Sequence, residues 1–356
     1  MLRMTFALNC LLALLYPVAA SAWSYQGHKV VGSIADKLLK PNAKEQVRQI
    51  LAENDPRRLG ELNLQKAAPW PDCVKSVVRH DDKTFHYEVD PEHLEYEVPC
   101  TPYNSKEERA RMVDYVKRNW TTDTCSYKPD GFERGCHNTY HFDDVAIQRN
   151  SFDRSFQGTN DHDLVAAIGA AIAVLSDKPI PPPFAFSIKD KKEALFLLAH
   201  FLGDLHQPLH VGSVYLDADG KLVDPDVAHQ IDPDTETIGG NAIQDQNLNL
   251  HHQWDDIPID IGEAATKELL ADAQALPASQ GPIETWPAAW ATESLPLARD
   301  AFAGLSFQRI QPPPRVKWTV TFDDHMAYLR SMDLIKRKQL ARGGARLAEI
   351  LNTIWP

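Results

Sequence analysis

The stretch from Lys189 to His206 constrains the chain most. It reads K-D-K-K-E-A-L-F-L-L-A-H-F-L-G-D-L-H. A helical segment that is apolar nearly all round must be enclosed by other elements. Ser187-Ile-Lys-Asp190 resembles a capping box at its start, and Pro208 ends it. Two residues break the apolar rule. His200 and Asp204 stand four apart and therefore share a face. An imidazole and a carboxylate buried without partners are costly, and a metal ion would satisfy both at once. One such pair by itself is more often a structural hydrogen bond, so the reading depends on the rest of the chain.

Helical spacing also runs through Val30 to Leu51, broken by Pro41. It recurs in the charged amphipathic stretch Lys106 to Trp120 and the alanine-rich stretch Asp163 to Leu175. Leu250 to Asp255 starts another helix, and His325 to Ile354 carries a long pattern that Gly343-Gly344 is expected to interrupt. Residues 217–241 are rich in Asp, Gly and Pro and read as a long loop, and Pro312-Pro313-Pro314 as a stiff turn. No run of alternating strands and no internal repeat is visible. The expected architecture is one all-α domain over residues 23–356, mainly helical with long loops. Hydrophobic residues make up 43% of the 356, enough for a packed core. The formal net charge of −12 excludes a broad basic face. Any hold on a phosphate backbone must come from a local source, such as bound divalent ions.

The N-terminus reads as a signal peptide spanning residues 1–22. Arg3 supplies the positive end, Phe6 to Tyr16 the apolar stretch, and Ala20-Ser21-Ala22 the small-residue cleavage site. Cleavage after Ala22 leaves Trp23 first and removes Cys10. No other segment is apolar enough to span a bilayer. Secretion or export to a periplasm is expected, and there the four remaining cysteines read as up to two disulfides. Three pairings are open; Cys125 with Cys136 closes a short polar loop and is preferred, leaving Cys73 with Cys100. Asn119-Trp-Thr121 is a glycosylation sequon, relevant only in a eukaryotic host.

Further clusters accompany the first. Pro208 turns the chain so that His210 can return toward His200 and Asp204. His251 and Asp255 repeat the four-residue step, and imidazole with carboxylate is a typical zinc set. Two such pairs with a third histidine favour metal over structure. Trp23 and His28 gain weight because cleavage would free the Trp23 amine, a competent nitrogen ligand. Trp70-Pro-Asp72 and Tyr140-His141-Phe142-Asp143-Asp144 add two more pieces. His206 reads as a supporting residue, and His252 lies about 100° round the helix from His251. His80, His93, His137 and His162 read as surface or loop residues.

In order, W-x4-H, W-x-D, H-F, H-F-x-G-D-x-x-Q-P-L-H, G-G-N and N-L-H-x-x-W-D resemble the S-one/P-one (S1/P1) nuclease family. These are zinc-dependent single-strand nucleases, such as mung bean nuclease, that share a fold with zinc phospholipase C. The resemblance covers nearly the whole mature chain, including Gly344 to Asn352. It implies a cleft with three zinc ions. Asp72, His141 and His200 would hold the first, and His210, His251 and Asp255 the second. The Trp23 amine and carbonyl, with His28 and Asp204, would hold the third. His86 competes with His141 for the first set; spacing before the helix at Asp163 favours His141. The stretch between Asp72 and His141 is then an insertion pinned by disulfides.

The resemblance also implies an activity. Asp72 would orient a metal-activated water, and products would carry 5′-phosphates. The expected substrates are single-stranded DNA and RNA, with 3′-nucleotidase activity on nucleotides also compatible. Phe142 would stack on a base and Asp144 would bond its edge, although Phe142 suits core packing equally. Asn241, in Gly239-Gly240-Asn241, would meet substrate or simply make a turn. A monomer without stable membrane association is expected. Two rivals stand: a zinc phospholipase C, which resembles H-x3-E at the last pair, and a non-enzymatic zinc-binding protein.

Overall fold

The computed structural model describes all residues except 1–22, 54, 92, 93, 122–124, 128–132, 185 and 311–316. The signal segment, Cys10, His93 and the Pro312–Pro314 turn fall outside the described residues. Twelve α-helices are present among them: α1 (Tyr25–Leu38), α2 (Pro41–Leu51), α3 (Leu64–Ala67), α4 (Trp70–Cys73), α5 (Lys106–Arg118), α6 (Leu164–Leu175), α7 (Lys191–Asp204), α8 (Pro225–Ala228), α9 (Leu250–Asp255), α10 (Lys267–Gln274), α11 (Trp286–Phe302) and α12 (His325–Ile354). The chain is mainly helical, as expected.

Helix α7 is the axis. Every residue from Lys192 to Asp204 is buried. Its cap lies three residues beyond the expected Ser187: the Asp190 side chain accepts from Glu193 N–H, and Glu193 reaches back to Lys189 N–H. The capping box is therefore Asp190 with Glu193, because a carboxylate with a returning glutamate satisfies two free donors. Around α7 pack α6, whose small residues allow close approach, and α1, α3 and α12.

Helix α12 runs unbroken for 30 residues, against the expected interruption at Gly343-Gly344. The glycines serve contact instead. A side chain at Gly344 would collide with Ile34 of α1, and one at Gly343 would sit 3.1 Å from Leu202 O of α7. Two glycines cost helix propensity of about 1 kcal/mol each; dense packing against two helices offsets that.

The all-α expectation needs amending. A four-stranded sheet orders Leu248–Asn249, Ile243–Asp245, Trp318–Phe322 and Leu305–Arg309. The last two pair antiparallel from Trp318↔Arg309 to Phe322↔Leu305. W-T-V-T-F alternates with period two, but at five residues it is too short to stand out among helical patterns. The sheet roofs a second core in which Ile243 and Trp318 meet Leu250 and Trp254 of α9, so it fixes the helix that carries His251 and Asp255. The expected loop 217–241 also holds structure: Leu222–Val223 pairs back onto Tyr215–Leu216, and α8 follows.

Both preferred disulfides are present, Cys73–Cys100 and Cys125–Cys136. Asn119 is fully buried. Its amide donates to Tyr115 O and Ser187 O and its oxygen accepts from Ser187 N–H, so the sequon cannot carry a glycan on the folded chain.

Candidate metal centre

Helix α7 presents His200 and Asp204 to one face of the core, and five other segments converge there, among them the 3₁₀ turn Cys136–His141 that carries His141. His28 comes from α1, its ring stacked on His200 at 3.7 Å. Gly203 makes room for it: a side chain there would come within 2.6 Å of His28 Nδ1. Asp204 serves two sides. Its Oδ1 lies 3.3 Å from His28 Nε2; its Oδ2 lies 3.1 Å from His141 Nδ1 and 3.3 Å from His200 Nε2. Asp72, on the short helix α4, stands with Oδ1 3.8 Å from His200 Nε2. The turn after α7 brings His210 back, and α9 brings His251 and Asp255.

Three groups result, each with its potential ligand atoms within 4.8 Å of one another: His28–His200–Asp204, Asp72–His141–His200, and His210–His251–Asp255. His86 lies elsewhere, exposed on the strand Phe85–Tyr87 and bonded to Thr84. Trp23 is completely buried. The next residue ties it down: Ser24 N–H donates to Asp255 O at 2.8 Å. A side chain at Gly203 would also meet the Trp23 ring, so the indole sits beside His28.

Three of the histidines are fixed through Nδ1 by backbone carbonyls. His200 Nδ1 donates to Ala68 O, His210 Nδ1 to His141 O, and His251 Nδ1 to Gly239 O. A donating Nδ1–H leaves the Nε2 lone pair facing inward. Two such lone pairs, His210 Nε2 and His251 Nε2, then oppose each other at 3.0 Å. Lone pair against lone pair is repulsive unless a cation or proton lies between. Burial, as the leading cause, lowers the pKa of His28, His210 and His251 and pushes His141 down to about 3, so protons do not fill that role near neutrality. Buried atoms without a hydrogen-bond partner also line the groups: both His28 nitrogens, Asp72 Oδ2, Asp204 Oδ1 and Asp255 Oδ2. Nitrogen and carboxylate donors without cysteine suit zinc, and the residues present fit it.

The carboxylates split. Burial opposes ionisation of Asp72, yet Lys75 and the imidazoles hold it well below the usual range. Burial likewise opposes Asp204, and His200 with its neighbours holds it well below. Burial pushes Asp255 up to about 7. A divalent ion would reverse that.

Lys75 was not singled out in the sequence. It follows Asp72 by three residues, in the 3₁₀ turn Val74–Ser76 just after α4, and its Nζ lies 2.6 Å from Asp72 Oδ1. The three-residue step on one helical face was the available signal. Ile238 was also missed. Its backbone is left-handed, at φ +53°, unfavourable for a β-branched residue. Its side chain is exposed beside Gly239, whose carbonyl holds His251. Phe142 and Asp144 are half-buried next to the groups. Burial first, then Glu236, pushes Asp144 up to about 8. The Asn241 amide donates to Ile238 O, the simple-turn reading.

The remaining histidines divide. His206 is buried, bonded to Leu202 O and Arg346, a supporting residue as expected. His137 is not on the surface. It is buried against Tyr115 and Trp120, where Cys136 N–H donates to Trp120 O and His137 N–H to Asn119 O.

The S1/P1 Nuclease family model matches residues 23–134 and 122–356. The chain belongs to the S1/P1 nuclease family. Among curated relatives, Endonuclease 2 of Arabidopsis thaliana is 24% identical over 354 residues, covering 94% of this chain and 90% of its own length. Endonuclease 4 and Endonuclease 5 of the same plant are each 24% identical over 358 residues, covering 94% of this chain and 90% and 91% of theirs. This S1/P1 family member is a hydrolytic nuclease, and the phospholipase and non-enzymatic readings fall away. Among the described residues no helix is long and apolar enough to cross a membrane.

Proposed function

We propose that the chain is an exported zinc-dependent endonuclease that hydrolyses phosphodiester bonds of single-stranded DNA and RNA, leaving 5′-phosphates. It would also release phosphate from 3′-nucleotides and act as a monomer. The observation that carries the metal reading is the opposed His210 and His251 lone pairs. Asp72, His141 and His200 would hold one ion; His210, His251 and Asp255 a second; the Trp23 amine and carbonyl, His28 and Asp204 a third. Bound zinc supplies positive charge to phosphoryl oxygens and makes water more acidic.

The chain's own residues supply the rest. Asp72 is anionic, with Oδ2 lacking a hydrogen-bond partner, so it can orient an attacking water. Lys75, held by Asp72 Oδ1, can offer N–H bonds to phosphate oxygens as their charge grows. Phe142 can stack on a base, a contact worth roughly 1–3 kcal/mol. Asp144, protonated below about pH 8, can both donate to and accept from a base edge. The ligand groups are recessed, so a phosphate reaches them only if the adjacent base leaves its stack, which favours single strands.

Export is supported by the family match beginning at Trp23, by the two disulfides and by the signal-like residues 1–22. The test is the mature protein on single-stranded DNA, with zinc counted per chain and product ends assayed. Asp72→Ala should abolish hydrolysis. Activity within a few-fold of the parent, or 3′-phosphate ends, would overturn the reading.

A further inference from the structure

Gln207 lies in the turn between α7 and His210 and is completely buried. Its side chain makes two bonds. Oε1 accepts from Leu209 N–H at 2.6 Å, and Nε2 donates to Asp255 Oδ1 at 2.7 Å. The first fixes the second: only the amide oxygen can meet a backbone N–H, so the NH₂ must face Asp255. Gln207 N–H also donates to Asp204 O, and Gln207 O accepts from His210 N–H. One residue thus joins three candidate ligands.

We propose that Gln207 is a positioning residue for the His210–His251–Asp255 ion. Its carboxamide holds Asp255 Oδ1 and leaves Oδ2, which has no hydrogen-bond partner and lies 3.6 Å from His251 Nε2, to take the metal. Groups that orient a ligand in this way typically change metal affinity 10–100-fold when removed. The inference rests on the metal reading above. It adds that α9 and the turn after α7, which meet in space from distant sequence, are locked in register through this amide.

Gln207→Glu separates positioning from turn capping. An ionised glutamate still accepts from Leu209 N–H, so the cap survives, but it has no proton to donate to Asp255 and repels it instead. Zinc retained per chain would be measured for the mature protein against a graded chelator, with the melting temperature alongside. Gln207→Glu should lose one ion at roughly 10–100-fold lower chelator strength, with the others unchanged. If Gln207→Glu holds all its zinc like the parent and only Gln207→Leu is impaired, the residue is a turn cap and the proposal is overturned. Should the buried charge block folding, Gln207→Met removes both bonds: selective loss of one ion at a parental melting temperature supports positioning, and parental zinc retention there overturns it. A parent that binds no zinc overturns the metal reading itself, and this inference with it.

Discussion

His210 and His251 face each other through their Nε2 atoms across 3.0 Å, while the far nitrogen of each ring donates to a backbone carbonyl. The carbonyls belong to His141, at the end of the 3₁₀ helix Cys136–His141, and to Gly239, so two separate segments impose the arrangement. Folding therefore assembles a repulsive pair that a cation relieves. Chelation should lower the melting temperature, and added zinc should restore it. His251→Ala removes the opposed lone pair. It should bind one ion fewer and lose roughly 100-fold or more of the hydrolytic rate, while losing less stability than the parent on chelation. Differential scanning calorimetry with and without chelator checks this; equal sensitivity in both proteins would contradict it.

Asp204 turns one oxygen to His28 and the other to His141 and His200. It belongs to the group with His28 and His200, and its second oxygen also touches His141 of the neighbouring group, whereas Asp255 touches only the histidines of its own. Asp204→Asn keeps the shape and removes the charge. It should cost more than one ion per chain, where Asp255→Asn costs one. Zinc quantified by mass spectrometry distinguishes them, and equal losses would refute the shared role.

Much of this centre was legible in the sequence because it rests on local spacing. His200 with Asp204, and His251 with Asp255, are forced onto one face by helical geometry alone. Choosing His141 over His86 needed the family resemblance, since both sit between aromatic residues. Lys75 and Gln207 were not legible, for different reasons. Lys75 is one lysine among many, and only the 3₁₀ turn Val74–Ser76 after α4 brings it to Asp72. Gln207 matters through Asp255, which is 48 residues away. The sheet was missed because its strands are short and their partners are distant in sequence. His137 was misread because its burial comes from Tyr115, Asn119 and Trp120, some twenty residues away in sequence.

Trp23 is buried beside His28, and Ser24 is bonded to Asp255 O. An extra residue ahead of Trp23 would convert its amine to an amide, which is a poor zinc ligand. A mature chain made with one added N-terminal alanine should therefore bind one ion fewer and be at least about 10-fold slower. Its melting temperature without zinc should match the parent. Unchanged zinc content would refute the amine ligand.

His137 offers a pH effect outside the metal groups. It is buried, its Nδ1 lacks a partner, and burial pushes its pKa down to about 3 from 6.5. The folded state thus refuses a proton that the unfolded state accepts. The stability linked to His137 is full above pH 6.5 and is lost as pH falls from there toward 3. A displacement of that size corresponds to roughly 3–5 kcal/mol once pH nears 3. His137→Phe keeps the ring against Tyr115 and Trp120 but cannot be protonated. Its urea midpoint, taken relative to the parent at each pH, should rise steadily between pH 6.5 and 4. The other histidines titrate in both proteins; of them, His141 also acts on His137 and, once charged, adds to the same fall. A difference that stays flat across that window would mean His137 is solvated in solution.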